Sequence, residues 1–211
     1  MRLIIFLFTL LSASFPKAHE ISSCICDHAC YTDEVANLKC DPKVASFKSV
    51  GLPDASHTIM EGIIATNQQF PRVHQYEFKI TRVPQKANKP TYADPGAIGV
   101  AVNGVPIFDP ATQGPINAKT GKRPHTLYEG ELDDCGGHAG RGDDYHYHIA
   151  PICLIEELGE AHIEQMKRPI GYAMDGYPIH ALGWFNKEND VENKLDACRG
   201  MTDEKGQYFY N

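Results

Sequence analysis

The chain has 211 residues, of which 42% are hydrophobic, and its formal net charge is −7. The hydrophobic fraction is ordinary for a globular protein, and the length allows one medium-sized domain with its own core. The acidic balance excludes the basic surface with which proteins bind nucleic acids or anionic membranes.

Residues 1–18 have the features of a secretory signal peptide. Arg2 supplies a positive start, and the apolar run LIIFLFTLL at residues 3–11 precedes the small residues SAS. We expect cleavage after Ser14 or after Ala18, and a secreted mature chain without a transmembrane segment, because nine apolar residues are too few to span a bilayer. The alternative is a buried strand or helix at the start of the fold.

Residues 19–48 form a cysteine-rich N-terminal segment. Four of the seven cysteines fall within 17 residues of it, and these disulfide candidates are Cys24, Cys26, Cys30 and Cys40. Together with His28 they have the composition of a zinc site, but an oxidising compartment favours two disulfides in a small appendage. The sequence does not determine which cysteines pair.

Short strands are predicted through much of the remaining chain. Residues 74–84 alternate and are rich in β-forming residues, and residues 97–110 form two β runs around the turn pair Asn103-Gly104. Residues 170–182 repeat this strand–turn–strand pattern around an Asp-Gly pair.

One helix stands out from the β-rich pattern. It is predicted over residues 154–169, where Gly159 interrupts it and Pro169 ends it.

Two stretches of the chain align with each other without a gap. Residues 132–148, LDDCGGHAGRGDDYHYH, and residues 195–211, LDACRGMTDEKGQYFYN, share six identities where chance gives roughly one. The upstream hairpins GVAVNGVPI and GYAMDGYPI also match. We therefore predict a domain over residues 49–211 with two repeats, at 97–153 and 169–211. The expected fold class is α+β and β-dominated, with duplicated hairpin, loop and strand units, one clear helix and stabilising disulfides.

The alignment singles out the histidines of the first copy. Each stands opposite a different residue type in the second copy: His138 with Met201, His146 with Phe209 and His148 with Asn211. Since Met, Phe and Asn fill these places in a shared scaffold, the fold does not require imidazoles there, which favours a chemical role.

The stretch DDYHYHIAP predicts a metal-binding strand edge. Residues two apart in a strand share a face, so His146 and His148 lie together, and His138 can join them across a glycine-rich loop. Neutral imidazoles are favoured ligands of copper and zinc, and we predict that these three histidines bind one such ion. Four residues are expected beside these ligands: Asp143, Asp144, Tyr145 and Tyr147. The two aspartates are expected to bind the metal or to orient the imidazoles.

Other interpretations of these residues stay open. His125 and His180 are reserve ligands. The histidines can instead be structural hydrogen-bonding groups in a buried aromatic strand. Calcium is a further alternative, although without EF-hand spacing, at Asp133, Asp134, Asp143 and Asp144.

The remaining cysteines are unequal in the two copies. Cys153 lies 18 residues after Cys135 and can close that loop with a disulfide. At the repeat offset of 63, a partner for Cys198 falls near position 216, beyond Asn211. We expect either a C-terminally incomplete sequence or a different partner for Cys198.

These motifs resemble those of the YHYH domain family. The resemblance rests on IGVAVNGVPIFDP, LDDCGGHAGRGDDYHYHIAPICL, IGYAMDGYPIHAL and LDACRG, and extends from near residue 50 to the end. It implies a shared domain and a secreted or exported protein, but no reaction and no catalytic residue. Many members look as though they carry a second Tyr-His-Tyr-His strand, whereas this chain has YFYN, which supports one intact site.

Three functions follow, and the sequence does not decide whether the protein is an enzyme. The first is a secreted copper or zinc protein with an open fourth coordination position, whose binding weakens as pH falls through the imidazole pKa of about 6.5. The second is a non-enzymatic extracellular matrix or interaction module with structural histidines. The third is a metal-dependent hydrolase with Asp143 or Asp144 as general base. The partner is an unidentified small molecule or extracellular protein.

Overall fold

The structure, a computed structural model, describes residues 23–66, 69–89, 91, 96–112 and 114–211. The expected signal peptide at residues 1–18 lies outside these ranges. Strands dominate the described residues, which confirms the expected fold class, and they form two sheets. Within the described ranges, none of the helices combines the length and the apolar character needed to cross a bilayer.

The smaller sheet is antiparallel and has three strands in chain order. They are β1 (Ala36–Cys40), β2 (Val44–Ser49) and β3 (Tyr76–Thr81). Alternation decides which side is buried: in β3, Phe78 and Ile80 face the core while Glu77 and Lys79 face solvent. The predicted stretch 74–84 therefore contains a real but shorter strand.

Two disulfides stabilise the N-terminal segment, which confirms the expectation of disulfides rather than a zinc site there. They join Cys24 to Cys30 and Cys26 to Cys40. The same segment packs into the main core, since Ile25 is buried in one cluster with residues from both sheets. The predicted domain boundary at residue 49 stays a prediction. The strand that ends at this boundary, β2, pairs with β3, which follows it in the chain.

The larger sheet has eight short strands. In chain order they are β4 (Ala97–Ala101), β5 (Pro106–Phe108), β6 (Gly137–Ala139), β7 (Tyr145–Tyr147), β8 (Gly171–Ala173), β9 (Pro178–Ile179), β10 (Gly200–Thr202) and β11 (Tyr208–Tyr210). Across the sheet their order is β10-β11-β9-β8-β4-β5-β7-β6.

The two ends of this sheet have the same strand register. In the β6–β7 hairpin His138 lies opposite His146, and in the β10–β11 hairpin Met201 lies opposite Phe209. Both hairpins join the sheet through a parallel pair, β7 with β5 and β11 with β9. At the centre, β4 and β8 pair antiparallel, with Val100 opposite Tyr172. The proposed repeat boundaries at 97–153 and 169–211 stay predictions, but the aligned residues occupy equivalent places.

The predicted helix over 154–169 is broken in the structure, and its extent was wrong. It forms α1 (Ile152–Leu158) and α2 (Glu160–Ile163), and turns follow. The break has a local cause, because Gly159 adopts a φ of 77°, which a helix cannot contain.

A third disulfide connects the start of α1 to the loop before β6. It joins Cys135 to Cys153 and encloses the β6–β7 hairpin. Cys198, which aligns with Cys135, is a free and exposed thiol. Of the two equivalent hairpins, the one that carries the histidines is therefore the one enclosed by a disulfide.

Candidate metal centre

The β6–β7 hairpin brings the three predicted histidine ligands to one face of the sheet. His138 and His146 are directly opposite each other in the antiparallel ladder. His148 follows β7 immediately, and its backbone N–H donates to the Gly136 carbonyl, which continues the pairing by one residue. Strand alternation thus gives the arrangement that the sequence predicted.

The tyrosines of the same strand lie on the opposite face, in the core. Tyr145 and Tyr147 are fully buried. The Tyr145 hydroxyl donates to Asp133 Oδ2 at 2.8 Å, and Asn103 Nδ2 donates to the Tyr147 hydroxyl at 3.1 Å. Burial raises the pKa of both phenols, so they stay protonated. They anchor the strand that carries the histidines and are not placed as ligands.

The three imidazoles converge through their Nε2 atoms. Nε2 of His148 lies 3.1 Å from Nε2 of His138 and 3.1 Å from Nε2 of His146. The three residues are only 5–8% exposed. Among the described residues, this is the one group of three or more His, Cys, Asp or Glu side chains whose ligand atoms gather closely, all within 4.8 Å.

Backbone carbonyls fix the protonation of two of these rings. His148 Nδ1 is hydrogen-bonded to the Asp109 carbonyl, and His146 Nδ1 to the Asp144 carbonyl at 2.9 Å. Because a carbonyl only accepts, each Nδ1 carries the hydrogen, and a neutral ring then has its lone pair on Nε2. The tautomers are assigned from these acceptors.

Two lone pairs therefore face each other between His146 and His148 at 3.1 Å. This contact is not a hydrogen bond, because neither Nε2 carries a hydrogen, and it is repulsive until a cation lies between the atoms. His138 is less constrained: its Nδ1 is buried without a partner at hydrogen-bond geometry, although the Glu131 carbonyl is near enough to favour the charged ring slightly. The donor set is that of a cation site.

Burial keeps the imidazoles neutral. Desolvation, followed by the charges of the other two rings, lowers the pKa of His138 to about 3. Desolvation and then the charge of His146 lower the pKa of His148 to about 4. The pKa of His146 is also lowered by burial, against the opposing effect of Asp144. A proton in this site would be a buried charge, whereas neutral rings are the form that binds metals.

The two predicted aspartates lie outside the Nε2 cluster. The Asp144 carboxylate is 3.7 Å from His146 Nδ1, on the far side of the ring, and accepts a hydrogen bond from Tyr76 at 3.4 Å. Asp143 is paired with Arg72 at 3.2 Å. Asp144 thus orients the His146 imidazole through its backbone carbonyl. The carboxylate of Asp143 pairs with Arg72 instead of a histidine.

The reserve histidines and the calcium alternative gain no support. His125 Nδ1 accepts a hydrogen bond from the Leu127 N–H, and His180 packs edge-on against Phe209 in the other half of the sheet. Asp133, the most buried of the four acids proposed for calcium, already accepts hydrogen bonds from Tyr145 and from backbone N–H groups.

Sequence reasoning missed three neighbours of the imidazoles. Phe108 stacks on the His146 ring with the centroids 4.1 Å apart. Asp109 supplies the carbonyl that orients His148. Gly140 lies beside the Nε2 atoms of His138 and His146. Only Gly140 had a signal, because its aligned partner in the second copy is Asp203, a residue with a side chain.

Comparison with known protein families finds a match in this chain. A family model described as "YHYH protein" matches residues 77–200, more than half of the 211 residues. The matched range contains the β6–β7 hairpin with all three histidines of the cluster, and it ends at Gly200, the first residue of β10. No curated protein and no solved structure matches the chain.

Proposed function

The chain belongs to the YHYH protein family, and on that premise we propose that it is a secreted protein that binds one copper or zinc ion through His138, His146 and His148. The observation that carries the proposal is the pair of lone pairs facing each other at 3.1 Å between His146 and His148. Two buried imidazoles held in this orientation by backbone carbonyls have no favourable contact with each other, and a metal ion between them provides one.

The two separations of 3.1 Å from His148 Nε2 suit these metals. Metal–nitrogen bonds of about 2.0–2.1 Å fit two nitrogens 3.1 Å apart at an N–metal–N angle of roughly 100°, close to tetrahedral. Three imidazoles without thiolate or carboxylate suit copper and zinc better than magnesium or calcium, which prefer oxygen ligands. A bound ion would supply Lewis acidity, or redox chemistry if it is copper, and three protein ligands would leave a position for an exogenous ligand.

Secretion is part of the proposal and has separate support. Three disulfides in the described residues are typical of an oxidising compartment. The apolar run at residues 3–11 is the sequence feature that would direct export.

The alternatives fit the geometry less well. A matrix module with structural histidines leaves the facing Nε2 atoms of His146 and His148 without a function. A hydrolase that uses Asp143 or Asp144 as general base needs a carboxylate beside the open metal position, but Asp144 lies on the Nδ1 side of His146 and Asp143 pairs with Arg72.

Metal content tests the proposal directly. We expect elemental mass spectrometry of the secreted protein to find about one equivalent of copper or zinc, and the double variant H146A/H148A to contain none. The double variant H125A/H162A, which leaves the cluster intact, serves as control and should keep the metal. A wild-type protein without metal, even after incubation with either ion, would refute the proposal.

The pH dependence of binding should reflect the buried rings. An ordinary imidazole, with a pKa of about 6.5, is protonated and loses its metal between about pH 7 and 5. Here burial lowers the pKa of His138 to about 3 and of His148 to about 4. Protons therefore compete with the metal only as the pH approaches these values, and we expect the metal affinity to change little down to about pH 5 and to fall near pH 4.

Competition with a chelator across a pH series measures this profile. The matched control is a synthetic peptide of residues 143–151, DDYHYHIAP, whose solvated imidazoles should release the metal with the ordinary pKa of about 6.5. If protein and peptide lose metal at the same pH, the buried site does not protect its ligands and the expectation is wrong.

A further inference from the structure

Gly140 borders the histidine cluster. It begins the turn between β6 and β7 and is half-buried. A Cβ at this position would lie 3.4 Å from His146 Cε1, 3.7 Å from His138 Nε2 and 3.9 Å from His146 Nε2. These are ordinary contact distances, so a methyl group would fit the fold but would fill the space beside two ligand nitrogens.

The backbone does not require glycine here. The φ of Gly140 lies outside the left-handed region that favours glycine. The aligned turn of the second half has Asp203 at this place and closes with the same bond: the Asp143 N–H donates to the Gly140 carbonyl, and the Gly206 N–H donates to the Asp203 carbonyl. The scaffold accepts a side chain at this position. The absence of a side chain at Gly140 therefore affects the space beside the histidine cluster and not the fold of the turn.

Several other sides of the cluster are occupied. Phe108 stacks on the face of His146, and the Nδ1 edges of His146 and His148 are turned to the carbonyls of Asp144 and Asp109. The histidines are at most 8% exposed. The bare Cα of Gly140 therefore offers exogenous groups an approach to the Nε2 atoms of His138 and His146.

We propose that Gly140 keeps open the fourth coordination position of the bound metal and restricts it to ligands of one to three atoms, such as hydroxide or a small linear anion. The inference rests on the proposed metal site. It assigns a specificity-determining role to a residue that binds nothing itself. The ligand class follows from the close spacing, since a single Cβ at this position would already lie 3.7 Å and 3.9 Å from the Nε2 atoms of His138 and His146.

Azide binding to the copper(II)-loaded protein tests this assignment. Wild type, G140A and D203A are each loaded with one equivalent of copper(II) and titrated with azide, and binding is followed by the ligand-to-metal absorption band and by electron paramagnetic resonance. We expect wild type and D203A to bind azide alike, and G140A at least ~10-fold more weakly with unchanged copper content, because its methyl group fills the position. Imidazole, a bulky probe, should not bind to wild type.

Several results would overturn the assignment. Equal azide affinity of G140A and wild type would place the open position elsewhere, and imidazole binding to wild type would remove the size limit. Loss of copper from G140A alone would make Gly140 a requirement for assembling the ligands rather than for access. If wild type itself holds no copper or zinc, the proposed function fails, and that result is distinct from the others.

Discussion

Replacing the three histidines with their counterparts from the second hairpin, as H138M/H146F/H148N, should abolish the proposed metal binding and leave the fold in place. All three ligands are lost, and the affinity should fall by at least about three orders of magnitude, since disturbing only the groups that orient a ligand costs ~10–100-fold. The fold should survive because Met201, Phe209 and Asn211 occupy the same register in the second hairpin.

The measurement is a metal titration of the metal-free proteins, with circular dichroism and thermal unfolding as checks of the fold. H125N, which replaces a histidine outside the cluster, is the control and should bind like wild type. A folded triple variant that retains one equivalent of metal would show that the binding site is elsewhere. If the triple variant does not fold, the milder H148N, which removes one ligand, still reports on the site.

Asp133→Ala should destabilise the protein by about 3–5 kcal/mol, the largest effect on stability that we expect. The Asp133 carboxylate is 5% exposed and accepts four hydrogen bonds, from Tyr145 and from the N–H groups of Met60, Cys135 and Gly137. Its removal leaves these buried donors unpaired below the strand that carries His146 and His148.

The second half supplies the matched control. Asp196 accepts the equivalent bonds from Tyr208, Cys198 and Gly200, but it is exposed, so solvent replaces what Asp196→Ala removes. That variant should lose about 1 kcal/mol or less. Urea unfolding of both variants in the metal-free state measures the difference. Equal losses would mean that burial does not govern the strength of this shared motif.

Local patterns allowed much of the site to be predicted. The alternation of DDYHYHIAP placed His146 and His148 on one face, because side chains in a strand alternate strictly. The alignment of the two copies matched His138 with Met201 and His146 with Phe209, and these residues occupy equivalent positions in the two strand registers. The turn pair Asn103-Gly104 correctly separated β4 from β5.

The features that escaped prediction depend on distant residues or on the backbone. The carbonyls of Asp109 and Asp144 orient the imidazoles, but every residue has a carbonyl, so no residue type marks the position. The pairing of β2 with β3 joins stretches far apart in the chain. Gly159 was recognised as an interruption, but whether a glycine weakens a helix or ends it depends on the packing around it.

The symmetry of the eight-stranded sheet has a consequence for how many metal sites the protein can have. The sheet is arranged about the Val100–Tyr172 pair as if two subunits of a homodimer met at the β4–β8 interface. A true homodimer of such units would have identical subunits, and so two histidine clusters or none. Because both units lie in one chain, each has its own sequence. One half can hold the imidazoles, while the other keeps Met201, Phe209 and Asn211 and completes the sheet.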